Sequence, residues 1–127
     1  MRGARCRWRA NGHWHVRARV ERFVEPALLL LLAETPMHGY DLLERLPALT
    51  GGERGVDLGN LYRVLRALEH DGLVRSEWHA ELEGAAKRVY ELTDEGRTVL
   101  GLWADALRQA NGDVDAFLRR YESSEGR

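Results

Sequence analysis

A mainly α-helical fold with one small β-hairpin is what this sequence predicts, on three observations. Leu58, Leu61, Leu65 and Leu68 recur at spacings of three and four, and the opposite face of that helix is polar and basic. Just before it, Pro36-Met37-His38-Gly39-Tyr40 opens a shorter helical stretch, so a helix, a turn and a second helix follow one another. Just after it, Asp71-Gly72-Leu73-Val74 leads into two alternating segments, the pattern of a hairpin. In this order the pieces predict a winged helix-turn-helix, which places one helix in the major groove of DNA, followed by a C-terminal dimerisation helix.

A chain of 127 residues is sized for one domain with an appended helix. Its 44% apolar content allows a compact but small core, which favours shared burial in an oligomer. One cysteine, Cys6, excludes an internal disulfide and fits a reducing cytosol, so a cytoplasmic location is expected. The net charge of −1 is unevenly spread. Residues 1–20 hold six arginines (Arg2, Arg5, Arg7, Arg9, Arg17, Arg19) and no acid, leaving about −7 on the rest. The expected division is an arginine-rich, flexible arm at 1–20, a winged helix-turn-helix at 21–92, a dimerisation helix at 93–122 and a tail at 123–127.

Ala27 to Ala33, with five leucines in a row, resembles a signal-peptide core after a basic start, but Glu21 and Glu25 interrupt the basic flank. The run is also far too short to cross a bilayer, so a buried core helix is the better reading and no membrane partner is expected. Pro26 suits its first turn, and Thr35-Pro36 ends it. A second helix is expected from about His38 to Leu46, with Tyr40, Leu42, Leu43 and Leu46 in apolar contacts and Pro47 as its stop. Thr50 to Gly55 reads as a loop on composition.

Asp57 suits the N-cap of the third helix. A turn of 100° per residue puts Gly59, Arg63, Arg66 and His70 opposite the leucine stripe, with Asn60 and Tyr62 flanking. Asp71-Gly72 closes that helix. Val74–Trp78 and Arg88–Leu92 alternate as strands, with Glu81 to Gly84 as the turn between them. Thr93 caps the last helix, and Asp94 and Glu95 suit its first turn. There Leu100, Trp103, Leu107, Ala110, Val114, Phe117 and Tyr121 form a 3,4 seam that a partner helix can cover. Gly112 inside it costs roughly 1 kcal/mol of helix propensity, so a break there is an alternative.

With these residues in view, the chain from about Phe23 to Leu100 resembles the PadR-like transcriptional regulators. The matching pieces are Met37-His38-Gly39-Tyr40, Leu61 to Glu69 (Leu-Tyr-Arg-Val-Leu-Arg-Ala-Leu-Glu), Asp71-Gly72-Leu73-Val74 and Val89 to Arg97. The resemblance implies a homodimeric repressor on near-palindromic double-stranded operators, paired through its C-terminal helices and released in some members by a small planar effector. The single short C-terminal helix resembles the compact branch of the family. The chain departs from the pattern at Asp57-Leu58, at Asn60 and at Gly84-Ala85-Ala86, and its wing carries Glu77, Glu81 and Glu83.

Arg63 and Arg66 are the leading DNA candidates, because a guanidinium forks onto guanine or phosphate. Asn60 can read adenine. Tyr62 and Tyr40 can each reach a phosphate or simply bury a ring. His38 is expected to cap or pack at the start of its helix. Lys87 and Arg88 begin the second wing strand, where the resemblance implies phosphate contacts. The arm could track phosphates or enter a minor groove. Trp8, Trp14 and Val16 show no clear period, so disorder without DNA is expected there, with docking on the dimer as the alternative. Trp103 near a two-fold axis could stack on an effector. Cys6, His13 and His15 are three metal-type ligands without a fourth, so no metal site is assigned. No catalytic constellation stands out, so neither an enzyme nor a cofactor is expected. The alternative to a DNA-binding regulator is a winged helix that binds another protein, its basic face incidental.

Overall fold

The computed structural model describes residues 6–17, 23–50, 58–79 and 86–125. The elements run β1 (Arg7–Ala10), β2 (His13–Val16), α1 (Val24–Glu34), β3 (Met37–His38), α2 (Gly39–Arg45), α3 (Pro47–Thr50), α4 (Leu58–His70), β4 (Val74–His79), β5 (Lys87–Leu92) and α5 (Asp94–Glu125). This is a winged helix-turn-helix: α2 and α4 form the paired helices, and β4 and β5 form the wing. A second hairpin, β1-β2, sits against α5.

The leucine run of α1 is the spine of the core. Ala27, Leu28, Leu29, Leu31 and Leu32 are buried, Leu30 alone among the leucines reaching solvent. Thr35 leaves the helix in an extended conformation, as a residue before proline should. Around α1 pack Leu42 and Leu46, then Leu61, Leu65 and Leu68 of α4, Leu73 and Val74 at the start of the wing, and Val99 and Trp103 of α5.

Met37 and His38 form a short strand where the sequence suggested helix. Met37 pairs with Tyr90 and His38 with Val89, so the wing sheet has three antiparallel strands in the order β3-β5-β4. Pro47 does not stop the second helix for good. It starts the four-residue α3, where its missing N–H costs nothing. The loop after Thr50 and the cap expected of Asp57 lie outside the described residues, as does the wing tip at 80–85.

Helix α4 ends in a Schellman motif. The Leu73 N–H donates to the Leu68 carbonyl and the Gly72 N–H to that of Glu69, with Gly72 at φ 79°. Thr93 caps α5 as expected, its hydroxyl accepting the Gly96 N–H at 3.0 Å. Helix α5 then runs unbroken through Gly112.

The largest departure is at the N-terminus. The stretch read as an arm without regular structure is, over Arg7–Val16, a hairpin with Arg7 opposite Val16 and Ala10 opposite His13. Its turn is Asn11-Gly12, both at positive φ (54° and 77°), the combination that a type I′ turn requires. Trp14, Val16 and Cys6 pack against the core.

Candidate nucleic-acid interface

Helix α4 divides as the wheel predicts. Leu61, Leu65 and Leu68 are wholly buried, whereas Gly59, Arg63, Arg66 and His70 face solvent. Asn60 and Tyr62 are half-buried along its edges. The Arg63 guanidinium donates to the Asn60 side-chain oxygen one turn back, so the two residues best suited to read bases form one polar unit. Arg66 makes no hydrogen bond or ion pair among the described residues, and its charge acts on the Tyr90 phenol.

Helix α2 contributes Tyr40, whose side chain is 64% exposed rather than part of the apolar contacts expected for it. Tyr62 fills the angle between α2 and α4: a β-carbon placed on Gly39 would lie 2.5 Å from its hydroxyl. His38 stands at the N-cap position of α2 but its side chain makes no capping hydrogen bond, its Nε2 lying instead 3.3 Å from the Asp41 carboxylate.

The wing's two cations differ. Lys87 is exposed and unpaired among the described residues. Arg88 is held within the chain: its Nε donates to Ser76 Oγ at 2.8 Å, and its Nη2 lies 3.5 Å from Glu69 Oε1. Ser76 in turn donates to Glu69 at 2.8 Å, so this network ties the wing to α4. The guanidinium also lies over the rings of Trp78 and Tyr90. Burial pushes the Tyr90 phenol up, an effect that Arg88 opposes. Two of the Arg88 guanidinium's three nitrogens are thus engaged within the chain, while its side chain stays 43% exposed. Trp78 was read only as a strand residue, yet it is exposed beside Arg88 on the wing; an aromatic at an outward-facing strand position was the available signal.

The seam of α5 splits into two parts. Leu100 and Leu107 pack against this chain's own core, and Ala110 lines an open groove of about 440 Å³ with Trp8, Val16 and Arg17 of the hairpin. Val114, Phe117 and Tyr121 stay exposed, with Leu118 beside them and Phe117 at 69%. Trp103, expected on the dimer seam, lies in this chain's own core. It is 1% exposed, and its indole N–H donates to Glu25 Oε2 at 2.9 Å, so nothing can stack on it without opening the core.

Of the three N-terminal arginines among the described residues, Arg7 and Arg9 form ion pairs inside the fold. Arg7 pairs with Glu25 at 2.6 Å and with Asp71 at 2.7 Å, and Arg9 pairs with Glu95. Arg17 lies over Trp8. Arg2, Arg5 and Arg19 are outside the described residues. His15 stacks on Trp8, and no three His, Cys, Asp or Glu side chains converge as metal ligands among the described residues. Among those residues, too, no helix is long and apolar enough to cross a membrane.

Residues 28–102 match the model of the transcriptional regulator PadR-like family, more than half of the chain. A Mycobacterium tuberculosis relative, whose name reads "probable transcriptional regulator", is 31% identical over 77 residues. That alignment covers 61% of this chain and 41% of the relative, so the chain spans about two fifths of that protein's length. Among solved structures, the chain is similar to a PadR-like transcription factor of Bacteroides fragilis, at 27% identity and a TM-score of 0.63, covering 75% of this chain and 89% of that one. It is also similar to Bacillus subtilis PadR in complex with operator DNA, at 25% identity and a TM-score of 0.58 over 65% of this chain and 47% of that one. The buried leucine stripe, the polar face of α4 and the wing all lie within the matched stretch, and on these grounds the chain belongs to the PadR-like family of transcriptional regulators.

Proposed function

We propose that this protein is a sequence-specific DNA-binding transcriptional regulator, a cytoplasmic homodimeric repressor whose two α4 helices enter successive major grooves of a near-palindromic operator. The observation that carries this reading is the division of α4: three wholly buried leucines fix its inner face, and Asn60, Arg63 and Arg66 are left on or beside its outer one. Such a face offers hydrogen-bond donors to base edges and cations to phosphates. That the Bacillus subtilis protein was solved with operator DNA supports the same role here. Tyr40 and Lys87, both exposed, are placed in this reading as phosphate contacts, and Tyr62 as a residue that sets the angle of α2 to α4. The exposed turns of α5 with Val114, Phe117 and Tyr121 form the dimer seam. Release by a small planar effector belongs to the same proposal, with no residue assigned to it once Trp103 is seen in the core.

Selection of bound duplexes from a random library by the purified protein tests it. A near-palindrome is expected, with affinity falling linearly in log salt as phosphate counterions are released. Enrichment of no sequence, with binding to duplex DNA undetectable at low salt, would leave the protein-binding alternative in its place.

A further inference from the structure

The β1-β2 hairpin is tied to three different helices by side chains of one strand pair. Arg7 is its hub: with only 9% of its side chain exposed, it donates from Nε to Glu25 on α1 and from Nη1 to Asp71, the residue that ends α4. The same Glu25 oxygen accepts the indole N–H of Trp103 on α5. Arg9 and the Trp14 N–H both reach Glu95 in the first turn of α5. The Arg7 and Arg9 guanidinium groups stack on the Trp14 ring, 5.1 and 4.8 Å from its centre.

We propose that Arg7 is a positioning residue for DNA recognition: by holding Asp71 to Glu25 it fixes the tilt of α4 against α1 and, through the Trp103 bond to the same Glu25 oxygen, against α5, and with it the half-site spacing that the dimer accepts. This rests on the dimeric DNA-binding reading above. Geometry gives the lever. A helix of 13 residues is about 20 Å long, so a 10° tilt about its buried middle moves each end by about 1.7 Å, and the two recognition helices of a dimer together by about 3.4 Å. That displacement is close to the step of about 3.4 Å between base pairs. A planar fork with separate donors holds two carboxylates at once in fixed directions, which a lysine ammonium does less well. With its side chain 9% exposed and two of its nitrogens bonded to carboxylates, this guanidinium acts on DNA through α4.

The test uses the full chain and the operator found by selection, with half-site spacings one base pair longer and shorter. Wild type is expected to favour the selected spacing by about tenfold or more. Asp71→Ala, which cuts only the tie to α4, and Arg7→Met should each lower that preference to about threefold or less. Neither should change the salt slope, since no phosphate contact is removed. A role in stability alone would reduce the folded fraction and leave the spacing ratio untouched, which separates the two. If Arg7→Met does not fold, Asp71→Ala decides, because the Arg7–Glu25 pair remains. A folded, dimeric Asp71→Ala protein as selective for spacing as wild type would overturn the inference alone, as would a slope lowered by about 0.9 in Arg7→Met. A wild type that binds no duplex would remove it together with the reading it rests on.

Discussion

The Tyr62 ring lies across the α-carbon of Gly39, so that the first residue of α2 and an edge residue of α4 touch with no room for a side chain between them. The two helices of the DNA-binding motif are thus spaced by one aromatic ring on one bare backbone position. Gly39→Ala should force Tyr62 outward and change the α2–α4 angle, at a cost of about 1–3 kcal/mol by overpacking. Urea unfolding measures it, and Tyr62→Leu in the same chain should recover most of the loss. A neutral Gly39→Ala would mean that the ring swings away without resistance.

Arg63→Ala and Arg66→Ala should each weaken operator binding by about 1–3 kcal/mol if they read bases. Equal affinities for wild type and both variants, by fluorescence anisotropy, would take them out of the interface.

The two wing cations should behave differently. Lys87→Ala should lower the salt slope by about 0.9, the value for one phosphate contact. Arg88→Ala should leave the slope unchanged, because that guanidinium is already bonded to Ser76 and paired with Glu69. A lower slope for Arg88→Ala would show that DNA displaces those partners.

Phe117→Asp should give monomers in sedimentation velocity and abolish operator binding, while the winged domain keeps its helical circular-dichroism signal. The substitution is placed at an exposed ring, beyond the turns of α5 that pack on the chain's own core, so it tests association rather than folding. A stable wild-type monomer at micromolar concentration would sink the seam.

Thr93→Ala should cost about 1–2 kcal/mol and Thr93→Ser much less. The hydroxyl accepts the Gly96 N–H and lies 2.7 Å from the Gly72 carbonyl oxygen, so one atom caps α5 and secures the turn that closes α4. Thermal melts of the three proteins check the order.

The parts legible in the sequence were those whose signals are local. The spacing of Leu58, Leu61, Leu65 and Leu68, the glycine after Asp71 and the threonine before Asp94 each act within a turn or two of chain, and each stands where its pattern indicated. The N-terminal hairpin was legible in part and missed: Asn11-Gly12 between short segments is a strong hairpin signal, but six arginines drew the reading towards a polyanion-binding arm. Pairing of Arg7 with Glu25 and Asp71 joins positions 18 and 64 residues apart, which no periodicity reports. The bonds that Arg88 and Trp103 make within the chain went unread for the same reason. Both have residue types suited to ligands, and their partners, Glu69 and Glu25, become neighbours only once the chain has folded.

Every residue of α5 from Asn111 to Glu125 is exposed in the single chain, although the helix runs on through all of them. Fifteen residues of helix with no covering surface are marginal in water, and Gly112 weakens them further. In the proposed homodimer this segment orders on the partner, so the helicity of its last turns and the act of association are one equilibrium. Its melting temperature then rises with protein concentration, and dilution frays the seam before the winged domain is affected. On that proposal the amount of the regulator made would be a variable of its own folding: at low abundance the chain would be a folded domain with a loose tail, and an operator-competent form would appear only as copies accumulate.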